Sequence, residues 1–229
     1  MQHEQEISDI TRVIISFTGS FTYNKKSKQI EQSQSKLIPS LVDVTSSLQS
    51  LYNKVTDNST RKSVIQIQNL LRSLIALASF KLGIHLSEEV DRQRLTLRYI
   101  SRQCLYQIQR FGDEQVQSEL ANDEYGRVIS ITFSTAGGKG EELNKAISDG
   151  LLYISRFLNE LQRGKTYGQQ TFQPLPLLAR RYEEQIEEEG ANEEIEAQMS
   201  YNGLDSNINH WANKAKAATL NRFIHRRRI

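Results

Sequence analysis

From Leu37 to Val55, apolar side chains return every three or four residues, as Leu37, Leu41, Val44, Leu48, Leu51 and Val55. A helix turning once per 3.6 residues gathers such a set into one stripe, which another element must cover. The spacing recurs as Leu97, Ile100, Cys104, Ile108 and Phe111, as Leu143, Ile147, Leu151, Ile154 and Leu158, and as Leu204, Ile208, Trp211, Ala215 and Ala218. Only three prolines and 12 glycines punctuate the 229 residues, so helices can run long. The chain is therefore expected to be mainly α, a multi-helix bundle. Hydrophobic residues make up 38% of it, which is low for a globular protein and leaves each helix a broad polar face.

Helix ends are also written locally. The polar stretch Thr56-Asp57-Asn58-Ser59-Thr60 predicts a connector, with Asn58 or Ser59 capping the helix that follows. That helix is expected to run as one buried element to Leu82 and stop at Gly83. Its run VIQIQNLLRSLIALASFKL is broken by Gln66, Gln68, Asn69, Arg72 and Lys81, so no membrane span is expected. Ser87 followed by Glu88 and Glu89 opens another helix, because carboxylates suit the positive N-terminal end; it should close near Phe111-Gly112. A further helix is expected from Gly140 to Leu161.

Two segments carry a different signal. RVIISFTGS at 12–20 and RVISITFS at 127–134 alternate and are rich in β-branched residues, which predicts a minor β element near 12–20 and 127–135. Residues 4–18 equally fit a helical face through Ile7, Ile10, Ile14 and Phe17, and both readings stand at this point. The segment GKTYGQQTFQPLP at 164–176 lacks period and holds two of the three prolines. It predicts a loop or linker separating a helical domain, 1–163, from a C-terminal helical segment, 177–229.

Charge is unevenly laid out beneath a net +2. Residues 61–110 hold nine basic against three acidic side chains, residues 183–200 none against eight, and residues 201–229 six against one. Arg94, Arg98 and Arg102 are four apart, with Arg92 and Arg110 nearby. Guanidiniums at helical intervals of about 6 Å could follow a phosphate backbone, each fork donating two hydrogen bonds. The same pattern describes a solvated helix face. Lys214, Lys216, Arg222, Arg226, Arg227 and Arg228, with Trp211, Phe223 and His225 interleaved, form a second basic candidate for phosphate neutralisation and stacking. The eight glutamates between Glu183 and Glu196 either form a solvated helix or fold against the C-terminal arginines of the same or a neighbouring chain.

Catalytic patterns are weak. The four histidines lack metal-binding spacing, and Cys104 sits on an apolar stripe as a small core residue. A single cysteine excludes an internal disulfide and fits a reducing, cytoplasmic or otherwise intracellular setting, the nucleus included; the polar start MQHEQEISD does not resemble a signal peptide. The loop STAGGKGEEL at 134–143 resembles a phosphate cradle. Its glycine spacing departs from a P-loop, and Glu141 stands where a hydroxyl would be needed. Lys139 remains as an anion or assembly contact.

These observations imply no cofactor and no metal. The expected function is non-enzymatic: binding RNA or DNA and assembling as a coat- or matrix-like homo-oligomer or with a protein partner. The alternative is a protein–protein scaffold joined by complementary charge blocks, and a nucleotide-dependent enzyme is the weakest fit.

Overall fold

The computed structural model describes residues 2–24, 34–80, 87–133, 144–166, 170–201 and 206–224. It is mainly helical, as the apolar periodicity requires, and forms two compact units, residues 1–110 and 111–229.

In the first unit, helices α1 (Gln2–Asn24) and α2 (Gln34–Thr56) pack together, and α1 also packs on α4 (Leu70–Ala78). Among the described side chains of α1, Ile7, Thr11, Ile14 and Thr18 are buried, whereas Val13 is exposed. That is a helical stripe, so the strand expected at 12–20 is not formed. The β-branched residues are accommodated because the threonines satisfy their hydroxyls within the helix: Thr11 Oγ1 donates to the Ile7 carbonyl at 2.8 Å. Thr18 Oγ1 also lies 3.0 Å from Ser73 Oγ on α4, joining the two helices.

Leu41, Val44, Leu48, Leu51 and Val55 are all buried on α2. Its C-terminal carbonyls, left without intrahelical donors, are taken up by Arg61, whose Nε donates to Val55 O at 3.0 Å and Nη2 to Thr56 O at 2.7 Å. Thr60 Oγ1 donates to Lys54 O at 2.6 Å. Asp57 organises the turn by accepting from the Ser59 amide at 3.0 Å. Neither Asn58 nor Ser59 is the N-cap that follows; Thr60 is, without a side-chain cap bond.

The single helix expected across 64–82 is divided. Helix α3 (Arg61–Ile65) ends, and α4 begins only after Asn69, which adopts φ 62°. Asparagine enters the left-handed region more readily than most residues, and the break redirects the apolar run so that Leu70, Leu71, Leu74, Leu77 and Ala78 are buried on α4. The expected stop at Gly83 lies outside the described residues.

Helix α5 (Glu88–Phe111) begins and ends where the sequence places it, with the Ser87 hydroxyl accepting from the Val90 amide at 3.3 Å. Every residue from Cys104 to Gln109 is buried, so the second half of α5 is covered on all sides.

The second unit contains α6 (Glu114–Asn122), α7 (Tyr125–Ser130), α8 (Asn144–Arg163), α9 (Pro176–Glu188), α10 (Ala191–Met199) and α11 (Ser206–Ile224). Asp113 caps α6, accepting from the Val116 amide at 3.1 Å. The strand expected from residue 127 is helical through Ser130 and a turn through Phe133; residues 134–135 lie outside the described set. Val128, Ile129 and Ser130 are buried consecutively, which the one-sided pattern of a lone strand does not permit. Among the described residues the one β contact is the isolated antiparallel bridge between Lys165 and Phe172.

Helix α8 packs on α7, α9 and α11, and α9 packs on α6, α7 and α10. Tyr125, Phe157 and Tyr182, one each from α7, α8 and α9, are fully buried, with edge-to-face centroid distances of 5.2 Å and 4.7 Å to Phe157. Residues 164–166 and 170–176 lie within this unit. The ends of the loop are held by Lys165 N to Phe172 O at 2.8 Å and Leu175 N to Leu161 O at 2.7 Å. The two units meet in sequence at Arg110/Phe111, inside the last turn of α5.

Candidate functional site

The residues expected to bind phosphate differ widely in exposure. Arg92 is exposed and paired with Glu89, Nη2 to Oε2 at 2.5 Å. Glu89 accepts from Gln93 and Arg92, and these bonds hold its carboxyl below the usual range. The Arg94 side chain is only 11% exposed and lies 3.6 Å from Asp91. Arg98 and Arg102 are each 2% exposed and engaged in interactions within the chain. The solvent-facing arginine row expected from the four-residue spacing is therefore corrected at these two positions. Spacing places side chains on one side of a helix, but it does not say whether another layer covers that side. Arg110 is exposed.

In the C-terminal helix, Lys214 is exposed, while Lys216 is 22% exposed at the side chain and bound to Glu196, Nζ to Oε1 at 2.6 Å. Ile208, Ala212, Ala215 and Ala218 make the buried face, with Trp211 partly exposed. Arg222 falls within α11, but its side chain lies outside the described set, as do Arg226, Arg227, Arg228 and Lys139. Cys104 is fully buried against α2, its Sγ 3.6 Å from the Leu48 carbonyl, and burial pushes its thiol pKa up. A neutral, enclosed thiol is a core residue and not a nucleophile. Among the described residues no group of three or more His, Cys, Asp or Glu is placed to hold a metal, and no helix is long and apolar enough to cross a membrane.

What the second unit does bring together is the acidic run. Helix α9 ends at Glu188, and Gly190, with φ 65°, turns the chain into α10. A left-handed residue at this junction is easiest as glycine. The reversal lays α10 beside α9, and α11 packs on α10. A cleft of about 300 Å³ opens between the three helices.

Helix α9 contributes Glu183, Ile186 and Glu187 to this cleft, α10 contributes Asn192, Glu193 and Glu196, and α11 contributes Lys216, Thr219 and Leu220. Each set repeats at three or four residues, which puts its members on one helix face. Glu183 is buried and accepts from Gln162 Nε2 at 3.1 Å, while Glu187, Glu193 and Glu196 are exposed. Ile186 is buried and Leu220 is 45% exposed. The cleft thus has one exposed apolar side chain, Leu220, beside its carboxylates, with Ile186 buried beneath and Lys216 in its wall.

The sequence signal for this site was the glutamate run itself; the convergence depended on the turn at Gly190 and on the packing of α11. A different part of the acidic block is used structurally. Arg127 on α7 reaches Glu188 at 3.0 Å and Glu189 at 2.8 Å, fastening α7 to the end of α9. No protein-family model matches the chain, and no curated protein matches it in sequence.

Proposed function

We propose that this chain is a non-enzymatic helical binding protein that assembles with other protein through complementary charge, and that the α9–α10–α11 cleft receives a short basic, partly apolar segment. The observation that carries this is the convergence of α9 and α10 on one cleft where Glu187 and Glu193 are exposed beside Leu220, with Glu196 shared with Lys216. A carboxylate cluster of this kind raises the local concentration of cationic partners. Individual exposed ion pairs contribute about 0.2–1 kcal/mol each, so even four of them supply at most about 4 kcal/mol, a weak, salt-sensitive contact with a Kd on the order of 1 mM at low salt.

The test is binding of a labelled peptide of sequence RFIHRRRI, residues 222–229, followed by fluorescence anisotropy. Affinity should fall steeply between low salt and about 0.5 M salt, where screening shortens to a few ångströms. It should be lost in Glu187→Lys/Glu193→Lys with helicity retained by circular dichroism. Unchanged binding in that variant, or no binding at low salt, refutes the proposal.

Polyanion binding, the other expectation, loses Arg98 and Arg102 to burial and Lys216 to its pair with Glu196. It rests on Arg92, Arg110, Lys214 and the segment 222–229. The absorbance ratio at 260 and 280 nm of the purified protein separates the two: co-purified nucleic acid, released by high salt, would make RNA or DNA the partner.

A further inference from the structure

We infer that the occupant of the acidic cleft is the basic segment 222–229 of a second copy of this chain, exchanged reciprocally between two copies; this rests on the cleft being a docking site, as proposed above. The segment RFIHRRRI carries Arg222, Arg226, Arg227 and Arg228 together with Phe223, Ile224 and Ile229. It therefore presents both chemistries the cleft offers, cations for the exposed Glu187 and Glu193 and apolar side chains for the exposed Leu220. The charge blocks are complementary across the whole stretch, with eight acidic and no basic residues at 183–200 against six basic and one acidic at 201–229.

Reach favours a second copy over the chain's own segment. Lys216, Thr219 and Leu220 line the cleft, and α11 then continues to Ile224, about 6 Å further along its axis at 1.5 Å per residue. Arg226, Arg227 and Arg228 stand two to four residues beyond Ile224, within about 14 Å if fully extended. Turning back into the cleft would use about four residues in a reverse turn, leaving no run of three arginines to lie between the glutamates. A neighbouring chain has no such constraint. Because the segment departs within about a helical turn of the cleft, a two-fold axis beside the end of α11 brings each segment to the other copy's cleft. The exchange is closed and self-complementary, as a two-fold interface requires, and once one segment is seated the second docks at high effective concentration.

The experiment uses the full chain in two charge-reversed forms, Glu187→Lys/Glu193→Lys in the cleft and Arg226→Glu/Arg227→Glu/Arg228→Glu in the segment, with mass measured by sedimentation after nuclease treatment. The unaltered protein should be a dimer whose dissociation constant rises at least 10-fold between low and 0.5 M salt. Each reversed form alone should be monomeric, because its cleft and segment then carry like charge. Mixing the two should recover a dimer, since each segment again meets a cleft of opposite sign.

An unaltered protein that stays monomeric, reversed forms that still dimerise alone, or a mixture that stays monomeric would each overturn the exchange. A dimer abolished by nuclease would do so as well. A monomer that nevertheless binds the labelled peptide refutes the exchange while leaving the docking proposal standing; a monomer that does not bind it refutes both. Should lysine at 187 and 193 disturb folding, Glu187→Gln/Glu193→Gln tests the same loss, and an undiminished dimer in that form counts against the exchange.

Discussion

Replacing Gly150 by alanine tests the packing that positions α8 in the second unit. An added Cβ would stand 1.9 Å from Thr132 Oγ1 and 3.0 Å from Thr132 Cβ. Ordinary contact begins near 3.4 Å, so the hydroxyl must yield by roughly 1.5 Å. Thr132 is 3% exposed, and its hydroxyl donates to Ile129 O at 2.7 Å, so it cannot yield without losing that bond. Overpacking of a tight core costs about 1–3 kcal/mol, and the upper end applies to a deficit this large. The lost hydrogen bond adds about 1 kcal/mol. Against this, alanine improves helix propensity over glycine by about 1 kcal/mol.

The expected net loss is about 3 kcal/mol, read from urea unfolding followed by circular dichroism. Thr132→Ala alone should cost about 1 kcal/mol, since the Ile129 carbonyl keeps the Thr132 amide at 3.0 Å. In the double variant the 1.9 Å contact is gone and only the 3.0 Å approach to Cβ remains, needing a shift of a few tenths of an ångström. Its loss should be about 2 kcal/mol, a coupling of about 2 kcal/mol in favour of the pair. A Gly150→Ala protein as stable as the parent, or single effects that simply add, would refute the close approach of α8 to the turn after α7.

Three further outcomes follow from single groups. Tyr182 is fully buried with no hydrogen-bond partner at its hydroxyl, so Tyr182→Phe should be neutral or stabilising by about 1 kcal/mol; a clear loss in denaturant unfolding would show that the hydroxyl is satisfied. Arg61→Ala should cost about 2 kcal/mol by uncapping α2 at Val55 and Thr56, and Arg61→Lys should not restore it, because the guanidinium fork serves two carbonyls at once. Burial raises the pKa of both Cys104 and Tyr182, so the folded state keeps protons that the unfolded state releases. Stability is then full below the unfolded values, near 8.5 and 10, and falls above them by about 1.4 kcal/mol per pH unit for each group in turn. The urea midpoint should therefore drop between pH 8 and pH 10.5, and the drop should be smaller in Tyr182→Phe.

Helical class was legible because it is a local property. The stripe Leu41, Val44, Leu48, Leu51 and Val55 and the limits of α5 at Ser87 and Phe111 follow from spacing and capping, which involve residues within one or two turns of each other. The readings that failed needed information from further away. Alternation at 12–20 and 127–130 marks a strand only if a second strand supplies hydrogen-bond partners. Without one, the same residues satisfy their backbone groups within α1 and α7.

Charge was legible as blocks but not as surfaces. A four-residue arginine spacing and a glutamate run both state which side of a helix a group occupies, and neither states what lies beyond that side. Tertiary packing buried Arg98 and Arg102, whose spacing alone pointed to solvent. The turn at Gly190 folded a linear run of glutamates around a cleft faced by α11. The sequence by itself determined where helices form and which stripe each must bury, because those follow from a 3.6-residue period. The assignment of every polar side chain to core, ion pair or open cleft was decided by the tertiary structure, because desolvation depends on neighbours that are distant in the chain.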